Sequence, residues 1–439
     1  MQMRWKWIVG IGVFLVMALM VTVYVLLATY DYNKLKPRIA RMVEDATGRE
    51  LNLGGEINLA IGFSPSLVVT DVTFANASWG SQPQMIEIER LQAQVRLLPL
   101  LFKDVELKHI GLAGVDVLLE TDSNGQGNWD FTGGDNSAGS VGAFKPAEID
   151  VDQVSIENLH FTFRRHKTAS KMQFTLASLE MTRQGTEDAL MLKLRADSNG
   201  QPLALSGKIG RIRRIFAHER FPLQLSGRLA NAAVKINGAI DDILNLQGIG
   251  VEAQLTGKNL ATLGLFLDTR LPKTKAFDVT GHLKGSRDSL RLDNIKGNLS
   301  GSGVDIAVSG SVGNLIAFSG VDLKLKSSGK DLAEFGGIIG EKLPATDQFE
   351  IQGRLTGSTA ALALQKAQGS ARRGSLHFTV TGVVKDLLTL RGMDLQSRLS
   401  GKDLAEFGEI IGEKLPAIDQ FEIQGRLTGS TEMLSLAAA

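Results

Sequence analysis

The chain contains no cysteine among its 439 residues, so disulfides and thiolate metal sites are excluded. It has no charge of one dominant sign. Its net charge of +1 gives no support for a nucleic-acid partner. Histidine is sparse: His109, His160, His166, His218, His282 and His377 are scattered without metal-ligand spacing. No G-x-S-x-G, P-loop or dinucleotide-binding glycine pattern occurs. Asp241-Asp242 is an adjacent carboxylate pair, and neighbouring residues of a strand point to opposite faces, so it reads as a turn. These gaps point away from an enzyme and from any cofactor.

What the chain does have is a repeat. Residues 329–359 read GKDLAEFGGIIGEKLPATDQFEIQGRLTGST, and 401–431 differ from them only at Gly337/Glu409 and Thr346/Ile418. The same offset applied once more towards the N-terminus gives 257–287, identical to the middle copy at thirteen of thirty-one positions. A fixed period means one supersecondary unit stacked on copies of itself. Such a body builds an extended surface or groove more readily than a single catalytic point.

A second feature is the uncharged run from Trp7 to Ala28. As a helix it would measure roughly 33 Å, enough to cross a bilayer. Trp5, Trp7, Tyr24, Tyr30 and Tyr32 stand where interfacial aromatics would. The rival is a cleaved signal peptide, whose apolar region is shorter and which needs a small-residue cleavage site that does not follow here. Arg4 and Lys6 precede the run, and Lys34, Lys36, Arg38 and Arg41 follow it. That count does not fix the orientation, because long domains translocate largely regardless of charge.

Residues 33–47 predict a short amphipathic helix with Leu35, Ile39, Met42 and Val43 on one face and Gly48 at its end. Beyond it the pattern is period 2, as in Leu190-x-Leu192-x-Leu194 and Val304-x-Ile306-x-Val308, with glycine or asparagine turns recurring between the runs. The fold class is mainly β with short α: a transmembrane helix, then an elongated, curled antiparallel sheet forming a groove of repeated meander-plus-helix units. The organisation is an anchor over 1–32, an N-terminal module over 33–131, a flexible Gly/Ser-rich segment over 132–146, a groove segment over 147–225, and three repeats at about 226–297, 298–369 and 370–439. In the middle copy a helix is expected over about 331–342, with Asp331 as N-cap and Glu334 as its third-position partner.

Inward-facing apolar residues are expected to line the groove: Phe161, Phe163, Leu223, Leu225, Phe277, Val279, Leu283, Val304, Ile306, Val308, Phe349, Ile351, Leu355, Phe378, Val380, Phe421 and Ile423. Glycine in phase with them lets the sheet curl. Two readings stand: the apolar face stays partly open for a ligand, or curvature buries it completely. Three basic clusters (Arg164-Arg165-His166-Lys167, Arg211-x-Arg213-Arg214 and Arg372-Arg373) read as a solvated rim or as contacts for anionic headgroups.

The N-terminal part of the chain, through Phe131, resembles the AsmA family of Gram-negative envelope proteins. The matching features are Thr47-Gly48-Arg49, Gly55-x-Ile57, Pro65, Asn76-x-x-Trp79, Leu98-Pro99-Leu100-Leu101 and Asn128-Trp129, and the glycine-punctuated repeat looks like the family's second half. The resemblance implies an inner-membrane anchor, a periplasmic body and a role in outer-membrane biogenesis. Through the related chorein-type bridge proteins it also implies a groove that handles phospholipid or another acyl-chain lipid. Outer-membrane or periplasmic proteins are further candidate partners, and an assembly factor that moves no lipid is the alternative. The chain is shorter than well-known members: residues 50–439 hold about 30 strands at most, roughly 140 Å of sheet. On that length it is a partial bridge, needs a partner, or works near one membrane.

Overall fold

The computed structural model describes residues 30–60, 64–96, 107–131, 151–165 and 170–439, with short breaks at 186, 199, 267–270, 272, 302, 340–341, 388, 390, 431–432 and 439, and scattered residues between 14 and 29. The expected anchor lies largely outside the described residues. Those described within it, such as Phe14, Val21 and Tyr24, are helical and exposed. Among the described residues no helix is long and apolar enough to cross a membrane. The expected flexible segment at 132–146 also lies outside them.

The chain is mainly β with a few short helices and divides into two compact units, Met1–Ala217 and His218–Ala439. The first opens with a 3-10 turn at Tyr32–Leu35 and helix α1 (Lys36–Thr47), which carries Pro37 in its first turn and ends at Gly48 in the left-handed conformation. Ile39 packs on a core of Ile57, Val69 and Val72. Met42, expected on the same face, is exposed. The Asn33 side chain accepts a hydrogen bond from the Ile57 backbone N–H, which ties the helix to the sheet.

The first unit's strands are β1 (Leu51–Leu53), β2 (Ile57–Ala60), β3 (Ser66–Ala75), β4 (Gln84–Val95), β5 (Leu107–Thr121), β6 (Val151–Arg165), β7 (Ser170–Arg183), β8 (Leu190–Ser198) and β9 (Gln201–Ile209), followed by α2 (Ile212–Phe216). Neighbours are antiparallel with one exception: β5 and β6 run parallel. A parallel pair needs a crossover of a dozen or more residues. The chain between Thr121 and Val151 is long enough for one, and the sheet does not stop at the Gly/Ser-rich stretch.

A fault line crosses this sheet. Apolar residues step by three rather than two at Val69/Val72, Ile88/Leu91, Leu112/Val115, Ile156/Leu159 and Leu176/Leu179. A slip of one residue in a single strand would turn its apolar side outward. Here all five strands shift at aligned positions, with Asp71, Gly114 and Asn158 at positive φ on the line. The apolar residues therefore stay on one face.

The second unit is a meander in which each strand pairs antiparallel with the next: β10 (Phe221–Leu229), β11 (Ala232–Asp242), β12 (Gln247–Gly257), β13 (Ala276–Gly285), β14 (Leu290–Gly301), β15 (Val304–Asn314), β16 (Ser319–Gly329), β17 (Gln348–Ser358), β18 (Ala361–Arg373), β19 (Leu376–Asp386), β20 (Arg391–Asp403), β21 (Asp419–Ser430) and β22 (Met433–Ala438). Helices α3 (Ala261–Phe266), α4 (Leu332–Ile339) and α5 (Leu404–Ile411) follow β12, β16 and β20. Four strands and one helix thus recur with the period of the sequence repeat. Backbone detail recurs as well. Gly238, Gly310 and Gly382 have φ of 153°, 143° and 150°, and a Cβ on Gly310 would stand 2.0 Å from the Asp322 carbonyl oxygen.

Asp331 and Asp403 cap their helices through the Ala333 and Ala405 N–H groups (3.0 and 2.9 Å). In the last copy Glu406, the counterpart of Glu334, accepts from the Ser375 N–H and hydroxyl. The neighbouring hairpin offers two donors that the N-cap residue cannot match.

Candidate functional site

The apolar face of the second unit is built by register. One line of directly opposed residues runs Phe277, Leu299, Ile306, Ser327, Ile351, Gly369, Val380, Ser397, Gly425 across β13 to β21. The next line runs Val304, Gly329, Phe349, Ala371, Phe378, Leu399, Ile423. Val279 and Val308 flank Gly297, and Leu223 lies in line with Val251 and Leu283 through Gly238. Leu225 faces Ile236, Leu355 faces Leu323, and Phe421 faces Gly401. Directly opposed residues share a face, so every expected lining residue from Leu223 to Ile423 falls on the same side of this sheet.

Their exposure is uneven. Phe277, Val304 and Phe349 are buried, at 3%, 1% and 1% exposure. Leu223, Leu225, Val279, Leu283, Ile306, Val308, Ile351, Leu355, Val380 and Phe421 are half-buried. Phe378 and Ile423 are 40% and 48% exposed. The buried ones sit beside the helices: Leu263 of α3 packs with Phe277, and Phe335 of α4 meets Phe349 at 5.7 Å between ring centroids. Each of the repeated phenylalanines also lies over a glycine of the preceding strand, Phe277 over Gly257, Phe349 over Gly329 and Phe421 over Gly401. A side chain on that glycine would collide with the ring.

Although Phe277 and Phe349 are repeat equivalents, the line through Phe277 reaches Ile351 instead. Each repeat is therefore displaced by two positions along the strand, about 7 Å. The displacement tilts the strands across the sheet.

The opposite face is charged and self-paired. Arg354 bonds Asp322 and Arg426 bonds Asp394 with both carboxylate oxygens engaged. Lys326 meets Glu350 at 2.8 Å, and Arg398 meets Glu422 at 3.7 Å. The guanidinium bonds hold the Asp322 and Asp394 carboxyls below the ordinary carboxylate range. Two recesses of 760 and 550 Å³ open against residues of this polar side, among them Lys296, Lys324 and Lys366 in one and Asp278 and Asp305 in the other. Sequence reasoning missed them.

In the first unit Phe161 and Phe163 are half-buried. Phe161 stands opposite Val117 and Phe174, and Phe163 lies 6.0 Å from the Trp129 ring. Asn76 and Asn128, two residues that carry the family resemblance, form a buried polar corner with Glu120. Asn128, fully buried, donates to Asn76 Oδ1 (2.9 Å), and Asn76 donates to Glu120 Oε1 (2.7 Å). Glu120 also accepts from the Ser81 N–H. Every bond has a structural role in closing the β3–β4 and β5 turns, and Glu120 carried no sequence signal.

Among the described residues the titratable groups form scattered pairs. His109 bonds Ser155 at 2.8 Å, and His218 bonds Asp242 at 2.8 Å. Asp242 is held at a pKa of about 2, chiefly by the Asn245 side chain and also by the Asn245 N–H and His218. Among the described residues no cluster could hold a metal ion. Of the basic clusters, Arg213 and Arg214 pair with Asp188 (3.5 and 2.6 Å) and Arg211 is 2% exposed, so this cluster is structural. Arg372 and Arg373 are exposed.

The model of the AsmA family matches residues 1–387. The chain belongs to the AsmA family. A curated relative, the AsmA family protein YhjG of Escherichia coli strain K12, is 26% identical over 307 residues, covering 63% of this chain and 44% of the relative. The chain thus spans less than half the length of that relative. No solved structure matches it.

Proposed function

We propose that this protein handles phospholipid or another acyl-chain lipid along the apolar face of its sheets, as part of outer-membrane biogenesis. The supporting observation is the one-sided register of the second unit. An apolar line crosses strand after strand, and most of its side chains remain half-buried or more exposed, with the opposite side charged. A face of this kind solvates acyl chains better than water does and can be extended by adding repeats. The family membership is consistent with an envelope role. On this reading the run at 7–28 anchors the chain in the inner membrane and the body lies in the periplasm. No step of it calls for a cofactor or an enzymatic residue.

The test compares the two faces of one strand region. Ile351→Asp and Phe378→Asp place a carboxylate among acyl chains, at a cost of several kcal/mol where it cannot reach water. Lipid co-purifying with the full chain should fall sharply in both. Thr381→Glu, on the charged side, should retain wild-type lipid. If both faces tolerate the charge equally while the variants stay folded, the lipid reading fails and an assembly factor for outer-membrane proteins takes its place. Protease added to spheroplasts should digest the body. A soluble mature form starting near Thr29 would refute the anchor.

A further inference from the structure

A recess of 380 Å³ in the first unit lies where the end of α1 meets the β3–β4 turn and the bend after β5. Arg49, Glu50, Trp79 and Asp130 line it. Arg49 is the unusual member. Its guanidinium sits 5.4 Å from the Phe131 ring centroid, and it makes no ion pair or side-chain hydrogen bond among the described residues, although Glu50 and Asp130 line the same recess. Its Nη1 is out of contact with solvent and has no partner. A guanidinium nitrogen withdrawn from water and left unpaired is costly, and burial lowers the proton affinity of the group. Arg96 and Arg183, two other arginines of this unit, both bond a carboxylate, Asp152, although the Arg183 Nε is likewise buried without a partner.

The rest of the recess is complementary to a group carrying both signs of charge. The carboxylates of Glu50 and Asp130 are exposed, and the Trp79 ring is 41% exposed. An indole beside carboxylates suits an alkylammonium, and an unpaired guanidinium suits a phosphate oxygen. We propose that this recess binds a phosphoethanolamine-type zwitterion, with its phosphodiester on Arg49 and its ammonium between Glu50, Asp130 and Trp79. The choice of a lipid headgroup as the source rests on the lipid-handling reading; the chemistry of the recess does not.

The experiment is calorimetric titration of the full chain in detergent with two soluble probes, glycerophosphoethanolamine and inorganic phosphate. Saturable binding of glycerophosphoethanolamine is expected, with inorganic phosphate weaker. Arg49→Gln should weaken both by about tenfold or more, and Arg49→Lys should recover part of the loss. Asp130→Asn, at an exposed position, should weaken glycerophosphoethanolamine and leave phosphate unchanged or tighter; it decides the matter if Arg49→Gln does not fold. Absence of saturable binding by the wild type, insensitivity to these substitutions, or equal affinity for the two probes would overturn the proposal. Dihexanoyl-phosphatidylethanolamine added as a third probe separates the sources: tighter binding than glycerophosphoethanolamine assigns the headgroup to a lipid. Because the first two probes carry no acyl chains, their result stands whether or not Ile351→Asp removes lipid.

Discussion

The middle and last repeats have almost the same sequence but not the same environment. Phe349 is 1% exposed, whereas its equivalent Phe421 is only half-buried, and Ile423 is 48% exposed where Ile351 is half-buried. The cause is the neighbouring strand. Residues of β17 pair along their whole length with β18, while β22 pairs only with Gly425–Ser430 of β21. Phe421 and Ile423 have no residue opposite them on that side among the described residues. A repeat module specifies its own secondary structure, but its burial is supplied by the next module.

The largest effect should come from removing Phe349. Phe349→Ala empties the space over Gly329 and beside Phe335, and should cost about 3–5 kcal/mol in chemical denaturation. Phe421→Ala should cost about half that or less, because less area leaves water there. Equal losses would mean that burial does not distinguish the repeats. Gly310→Ala belongs in the same class: its Cβ would meet the Asp322 carbonyl oxygen at 2.0 Å, and amide exchange should accelerate across β15 and β16.

A clasp provides the second comparison. In the middle repeat Thr346 accepts from the Leu332 N–H (2.8 Å) and donates to the Lys330 carbonyl, and its own N–H bonds the Asp331 carboxylate. Thr274 makes the same clasp one repeat earlier. The last repeat has Ile418, which is 46% exposed, and there the Leu404 N–H bonds the Ile418 backbone carbonyl in place of a hydroxyl. Thr346→Val should cost about 1–2 kcal/mol, and Ile418→Thr should gain up to about 1 kcal/mol. Thermal melts of the pair would show whether the clasp works in both settings.

Ser327 offers a gain. It is 5% exposed with an unpartnered hydroxyl, and the equivalent positions in the flanking repeats are Leu255 and Leu399. Ser327→Leu should stabilise by about 1–2 kcal/mol, since it removes an unpaired polar atom and adds apolar contact. Destabilisation would show that the middle repeat has no room for the larger side chain.

The smallest effect concerns pH. Asp322 and Asp394 have carboxyl pKa values lowered by Arg354 and Arg426. A lowered folded value contributes stability that is present above the unfolded carboxylate range and is lost as pH falls through the folded value. Acid titration from pH 5 downward should destabilise the wild type slightly more than the Asp322→Asn, Asp394→Asn double variant. Both repeats should respond alike, because these exposed pairs do not depend on neighbouring burial.

The sequence alone determined the period, the alternating faces and the short helix after each Gly-Lys-(Asp/Asn)-Leu segment, because these follow from local spacing and from copies that can be read against one another. The residues it marked as lining, from Leu223 to Ile423, share one side, since period 2 is a local property of an extended chain. Tertiary structure decided the rest. The parallel β5–β6 pair depends on where a long crossover returns. The aligned shift through Asp71, Gly114 and Asn158 has a local trace, a three-residue apolar step, but its meaning comes only from neighbouring strands shifting together. The unpaired state of Arg49 arises where an α1 terminus, a β3–β4 turn and a β5 bend meet, segments far apart in the chain that no periodicity connects. Whether a given phenylalanine is buried or left facing solvent is likewise set by the strand beside it.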